Sequence, residues 1–216
     1  MSPSFDPACR RCPRLAAFLD SVQIEHPDYY CRPVPAFGDA RARLLLVGLA
    51  PGKHGANRTG RPFTGDHAGI LLYATLHKFG LASAPESIAA DDGLALLGAR
   101  ITNSVKCLPP ANKPLPAEVK TCNDYLRIEL AQSPDVRVIL ALGAIAHDAV
   151  LRACGLRRAE YRFAHAAEHA LSGGRVLLDS YHCSRYNTQT RRLTTSMFEA
   201  VVDRAAALAR SHGGPQ

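Results

Sequence analysis

Cys9 and Cys12 form a C-x2-C pair beside the start of an amphipathic stretch, and Cys107 and Cys122 form a second pair with fourteen residues between them. The chain of 216 residues holds seven cysteines. In a reducing compartment an odd count at such spacing points to metal or redox chemistry rather than to disulfides. The spacing leaves two readings open: four thiolates converging on one iron–sulfur or zinc centre, or two unrelated pairs of ordinary cysteines. Cys31, Cys154 and Cys183 remain as extras, and Cys154 closes an apparent helix before Gly155.

Three other segments carry side chains suited to a ligand. GLAPGKHGANRTGRPFTGD, from Gly48 to Asp66, is rich in glycine, so backbone amides can approach a ligand closely, and its Arg58 and Arg61 are of the type that meets phosphates. Neither a Walker G-x-x-x-x-G-K-[ST] nor a G-x-G-x-x-G turn is present, which disfavours a nucleotide cofactor. Phe63 stands in this polar loop either as a platform on which a base stacks or as an anchor dipping into the core. Asn103, in Ile101-Thr102-Asn103, offers a donor and an acceptor that could read the edge of a base, or could cap a turn. Tyr181-His182-Cys183-Ser184-Arg185 gathers an imidazole, a hydroxyl and a guanidinium, with Arg191 and Arg192 following.

Short β-rich runs alternate with longer stretches of helical periodicity, the pattern of parallel strands joined by crossover helices. Strands are expected at Leu44 to Leu49, Arg100 to Val105, Val136 to Leu142 and Val176 to Tyr181, and helices at Gly69 to Phe79, Pro116 to Leu130, Ala144 to Cys154 and Leu193 to Leu208. The expected fold is α/β, three layers with a central, mostly parallel four-stranded sheet, in one catalytic domain spanning 1–216 with a disordered tail at 211–216. Ligands bind beyond the carboxyl ends of such strands, and the three segments follow the first, second and fourth of them. Lys and Arg outnumber Asp and Glu by 26 to 19, a net +7 that favours a polyanionic partner. With no apolar run of membrane-spanning length and no apolar signal region at the N-terminus, a cytoplasmic protein with no membrane partner is expected.

Together the three segments resemble the motifs of the uracil-DNA glycosylase superfamily, specifically its fifth or B-type family. GLAPGKHGANRTGRPFTGD resembles the first motif, ITNSVKCLPPANKP the second, and SYHCSRYNTQTRRLT the last, usually written around His-Pro-Ser. In the iron–sulfur members a C-x2-C near the N-terminus joins two later cysteines, and Cys9, Cys12, Cys107 and Cys122 match those places. The resemblance therefore implies a structural [4Fe–4S] cluster. Leu49 and Ala50 stand where other families of the superfamily keep catalytic carboxylates, as is usual in the B-type family, and this implies a roomier pocket that accepts other deaminated bases besides uracil. Cys183 departs from the family's Pro, whose fixed φ stiffens the turn.

The resemblance also implies roles. Gly48, Ala50, Pro51, Gly52, His54 and Phe63 would surround the base, Asn103 would hydrogen-bond its edge, and His182 would stabilise charge on the departing base. His54, Asn57 and Asp66 are the polar candidates for positioning water, and some members place Asp where Asn57 stands. Arg58, Arg61, Ser184, Arg185, Tyr186 and Arg191 would meet DNA, with Arg185 and Tyr186 filling the gap left by a flipped nucleotide. The expected activity is removal of uracil from DNA by a monomeric enzyme. The alternative is a non-catalytic iron–sulfur protein that binds nucleic acid on the same fold.

Overall fold

The computed structural model describes residues 5–211. In chain order its elements are α1 (Pro13–Glu25), β1 (Phe37–Gly38), β2 (Leu44–Gly48), α2 (Ala56–Thr59), α3 (His67–Lys78), β3 (Ala99–Asn103), α4 (Pro116–Ala131), β4 (Val138–Leu142), α5 (Ala144–Ala153), β5 (Glu168–Ala170), β6 (Val176–Ser180), α6 (Arg185–Gln189) and α7 (Thr195–Ser211). The expected tail over 211–216 lies outside the described residues, apart from Ser211, which closes α7.

Leu44 to Gly48 and Val138 to Leu142 are buried at every position, because strands covered on both faces need no polar alternation. They form the centre of a sheet ordered β1-β3-β2-β4-β6-β5. β2 pairs in parallel with β3 and with β4, and β4 with β6. These are the four expected strands. The expected count of four falls short, however, because β1 and β5 add an antiparallel strand at each edge. Successive residues point to opposite faces of a strand. Leu44, Leu46, Leu140 and Leu178 accordingly pack with Leu72 and Leu76 of α3 and Phe198 and Val202 of α7. Leu45, Val47, Ile139 and Leu177 face the other way, against Leu126 of α4 and Val150 of α5. The three expected layers result. Among the described residues no helix is long and apolar enough to cross a membrane.

Register sets the site. Gly48 pairs with Asn103, and Leu142 with Ser180, so the carboxyl ends of the four parallel strands align along one edge. The second strand was expected to run to Val105. It stops at Asn103, although the amides of Ser104 and Val105 still bond the carbonyls of Gly48 and Leu49 at 2.9 Å, holding the chain close as it turns away. Asp66 begins α3 earlier than expected, its carboxylate accepting from the Gly69 amide at 2.9 Å as an N-cap.

Candidate active site

A cavity of about 490 Å³ opens at that edge. Ala50, Gly52, Phe63, Asp66, Asn103, His182, Ser184 and Arg185, named above from residue type or from the family resemblance, line it together. Leu49, Ala56, Leu142 and Ile145 make much of its wall apolar. Gly48 lies one layer behind: a Cβ there would come within 2.5 Å of Asn103 Oδ1 and 2.7 Å of the Phe63 ring, so only glycine lets those two side chains sit side by side.

Phe63 holds a left-handed backbone at φ 55°, a costly conformation for a bulky residue. Its buried ring stacks on the imidazole of His182 at 5.9 Å, 27° from parallel. His182 leaves the end of β6 opposite Gly143, with its Cβ 3.5 Å from where a Gly143 Cβ would stand, and its carbonyl accepts from Asn187 Nδ2 at 2.8 Å. Burial lowers its pKa to about 4, so the ring is neutral near pH 7 and carries one N–H. Two buried polar atoms of the cavity residues, Asn103 Oδ1 and His182 Nδ1, have no partner in the protein. Buried polar groups are rarely left unpaired, so such orphans point to a ligand. Asp66 contributes a carboxylate whose pKa burial raises, against the amides of Gly69 and Ala68 that lower it. Its second oxygen lies where a Gly55 Cβ would be, 2.5 Å away.

Other expected residues lie elsewhere. Arg61 is not free to meet phosphate: it is buried, bonded to Asp92 at 2.5 Å, Ser87 at 2.7 Å and Thr64 at 2.9 Å, with its guanidinium over the Phe37 ring. An arginine so enclosed serves the fold. His54 turns away from the cavity, its Nδ1 2.9 Å from the Tyr29 hydroxyl. Asn57 is wholly buried, donates to Cys31 Sγ at 3.4 Å and leaves Oδ1 unpartnered. Pro51 is also buried, and like Asn57 and His54 it does not line the cavity. Arg58, Tyr186 and Arg191 are exposed on the surface.

Sequence reasoning missed His67, Asn112 and the Leu142-Gly143-Ala144 turn, all of which line the cavity. His67 reaches across its mouth to Thr188 Oγ1 at 3.2 Å, linking α3 to α6. Asn112 and Ala111 are consecutive left-handed residues at φ 56° and 53°. The turn after β4 follows the same strand-end logic as the other three segments, but it lacks chemistry-bearing side chains.

Cys9, Cys12, Cys107 and Cys122 line a second, narrow cleft between α1 and the start of α4. Burial, then the other three sulfurs, pushes Cys107 up to about 12, and burial pushes Cys122 up to about 11. Burial also raises Cys12. Cys9 sits below its ordinary value because hydrogen bonds with Tyr125 and Arg11 outweigh its burial. The Lys106 amide donates to Cys122 Sγ at 3.2 Å. Four thiols facing one slot resist joint ionisation unless a cation is among them, so the donor set fits a thiolate-bound metal group. Cys31, Cys154 and Cys183 lie apart from this cleft. The α1 segment also braces the loop that starts at Cys107, since Arg14 donates to the Lys113 carbonyl at 3.2 Å and to both oxygens of Glu118 at 2.8 and 2.7 Å.

Comparison with known proteins agrees with this geometry. Residues 35–206 match the family model described as the uracil DNA glycosylase superfamily. The chain is 52% identical over 207 residues to the type-5 uracil-DNA glycosylase of Thermus thermophilus, covering 94% of each chain. It is 44% identical over 210 residues to that of Mycobacterium tuberculosis, covering 93% of this chain and 78% of the relative. It is 42% identical over 203 residues to that of Pyrobaculum aerophilum, covering 92% and 88%. With motifs, strand-end cavity and full-length similarity in agreement, the chain belongs to the uracil DNA glycosylase superfamily.

Proposed function

We propose that the protein removes uracil from DNA by hydrolysing the bond between base and sugar, leaving an abasic site for repair. The observation that carries this reading is the pair of orphaned polar atoms on Asn103 and His182 beside the Phe63 ring, in one cavity at the strand ends. A uracil turned out of the helix has a π-face for Phe63, donor and acceptor atoms for the Asn103 amide, and a carbonyl for the His182 N–H.

When the bond breaks, its electron pair leaves with the base, and the sugar gains oxocarbenium character. A neutral imidazole held by its surroundings and aimed at the anionic base lowers that barrier without needing to reorganise. Water adds to the sugar carbon, and the proton it gives up ends on the expelled base anion, leaving neutral uracil and an abasic sugar. Asp66, whose carboxylate lines the cavity, is the group that orients it. Asn57 is the second polar group of that loop, one layer behind Ala56. The apolar walls at Leu49, Ala50 and Ala56 have no carboxylate to exclude larger substituents, so other deaminated bases are substrates as well.

Arg58, Arg185 and Arg191 grip phosphates, and Tyr186, 71% exposed on α6, fills the gap left by the flipped nucleotide. The thiols of Cys9, Cys12, Cys107 and Cys122 hold a [4Fe–4S] cluster, which supplies a rigid crosslink and no electron transfer. Through Arg14 and Cys107 that crosslink fixes both ends of the loop carrying Asn112. The enzyme acts as a monomer of one domain. Incubation with uracil-containing duplex, followed by alkaline cleavage at abasic sites, tests the reading. Strand breaks that depend on uracil support it, and tight DNA binding without base release refutes it.

A further inference from the structure

Away from both clefts, on the far side of α5, two imidazoles and a carboxylate meet. Asp179 of β6 is wholly buried. Its Oδ1 lies 2.8 Å from His147 Nδ1 of α5, and its Oδ2 lies 3.1 Å from His169 Nε2 of β5. One potential ligand atom from each residue lies within 4.8 Å of the others. The other ring nitrogen of His147, Nε2, is 3.0 Å from the Tyr161 carbonyl and must donate to it. A carbonyl acceptor of this kind is what orients a metal-binding histidine, leaving its inner nitrogen to the metal. With the proton on Nε2, Nδ1 presents its lone pair towards the Asp179 carboxylate, where a cation would lie between them. Phe163 and Tyr161 wall the cluster at ring separations of 5.7 Å from His147 and 5.9 Å from His169. His169 is half-buried on the edge strand and leaves a path to solvent.

We propose that His147, His169 and Asp179 form a binding site for a divalent cation of the zinc type, distinct from the four-cysteine cleft. Two nitrogens and one oxygen with an open fourth position suit zinc, with water completing the shell. The site is structural. It pins together α5, whose first residue lines the base cavity, β5, and β6, whose continuation delivers His182 three residues after Asp179.

The test uses cluster-loaded protein freed of adventitious metal by a mild chelator, with iron content and colour unchanged. Zinc sulfate is titrated by calorimetry, and the zinc shell is read by X-ray absorption. One equivalent should bind with only nitrogen and oxygen ligands. At a hundredfold excess over Kd it should raise Tm by about 5 °C or more. His169→Gln, on an edge strand, should weaken binding at least about tenfold while keeping iron and base release. Absence of saturable binding, sulfur in the zinc shell, or undiminished affinity in His169→Gln overturns the proposal. If that variant misfolds, the ligand atoms seen in the wild type decide alone, since a shell without two imidazoles also overturns it.

Discussion

Phe63 and His182 stack on each other at 5.9 Å, and both line the base cavity. A base sandwiched between them would need roughly 7 Å, twice the van der Waals separation of carbon layers. On the proposed reading the base would therefore meet Phe63 with one face and His182 at its edge, where a ring nitrogen would donate to a carbonyl. His182→Ala should slow single-turnover release of uracil on the order of 10²-fold or more while abasic DNA still binds. Near wild-type rates would remove His182 from the chemistry.

The pH dependence follows from burial. With His182 at about 4, the rate should show no histidine titration near the ordinary 6.5. Stability moves with it. The unfolded chain takes up this proton first, so His182 makes the fold less stable as pH drops from 6.5 towards 4. Replacing it by Gln should flatten that part of a Tm profile, and an unchanged profile would contradict the buried neutral ring.

Asp66 has two roles that separate by substitution. Asn retains the helix cap and loses the charge, whereas Ala loses both. Asp66→Asn should leave Tm nearly unchanged and lower base release less than His182→Ala does. Asp66→Ala should in addition lose about 1 kcal/mol of stability in urea unfolding. If Asp66→Asn proves more damaging to rate than His182→Ala, Asp66 is the principal base.

Gly48 does not line the cavity, yet a methyl group there would collide with Asn103 Oδ1 and the Phe63 ring. Overpacking of this kind costs about 1–3 kcal/mol. Gly48→Ala should lower base release at least about tenfold with DNA affinity retained, and a fully active variant would mean that the two side chains move freely.

Charge and colour give two further outcomes. Log affinity against log salt should lose close to one unit of slope for each of Arg58→Gln, Arg185→Gln and Arg191→Gln. Arg61→Gln should leave the slope alone and lower Tm, since it removes the buried guanidinium that bonds Asp92 and Ser87. With the proposed cluster bound, serine at Cys9, Cys12, Cys107 or Cys122 should bleach its brown colour, and serine at Cys31, Cys154 or Cys183 should not. Colour retained in Cys107→Ser would break the ligand assignment.

The central parallel strands β2 and β4 were legible because each is a continuous apolar run. β1 and β5, two and three residues long, are too short to show any period and exist only as partners of β3 and β6. Phe63, Asn103 and His182 could be named because they follow strand ends, where topology gathers them. Arg61 was misread because its partner Asp92 lies 31 residues away, and local composition does not show which arginine of a basic loop turns inward. The Leu142 to Ala144 turn works through its backbone and shape, which residue types conceal.

The brevity of the edge strands also bears on behaviour in crowded solution. An exposed strand edge invites another chain to extend the sheet, and long flat edges are the start of aggregates. Here a two-residue strand covers β3 and a three-residue strand covers β6, so each flank offers a visiting chain only a few hydrogen bonds before the ladder ends. Apolar central strands as continuous as Leu44 to Val47 and Val138 to Leu142 would otherwise be hazardous in partly unfolded molecules. The short flanks let the protein keep wholly apolar central strands with little open edge for a second chain to extend.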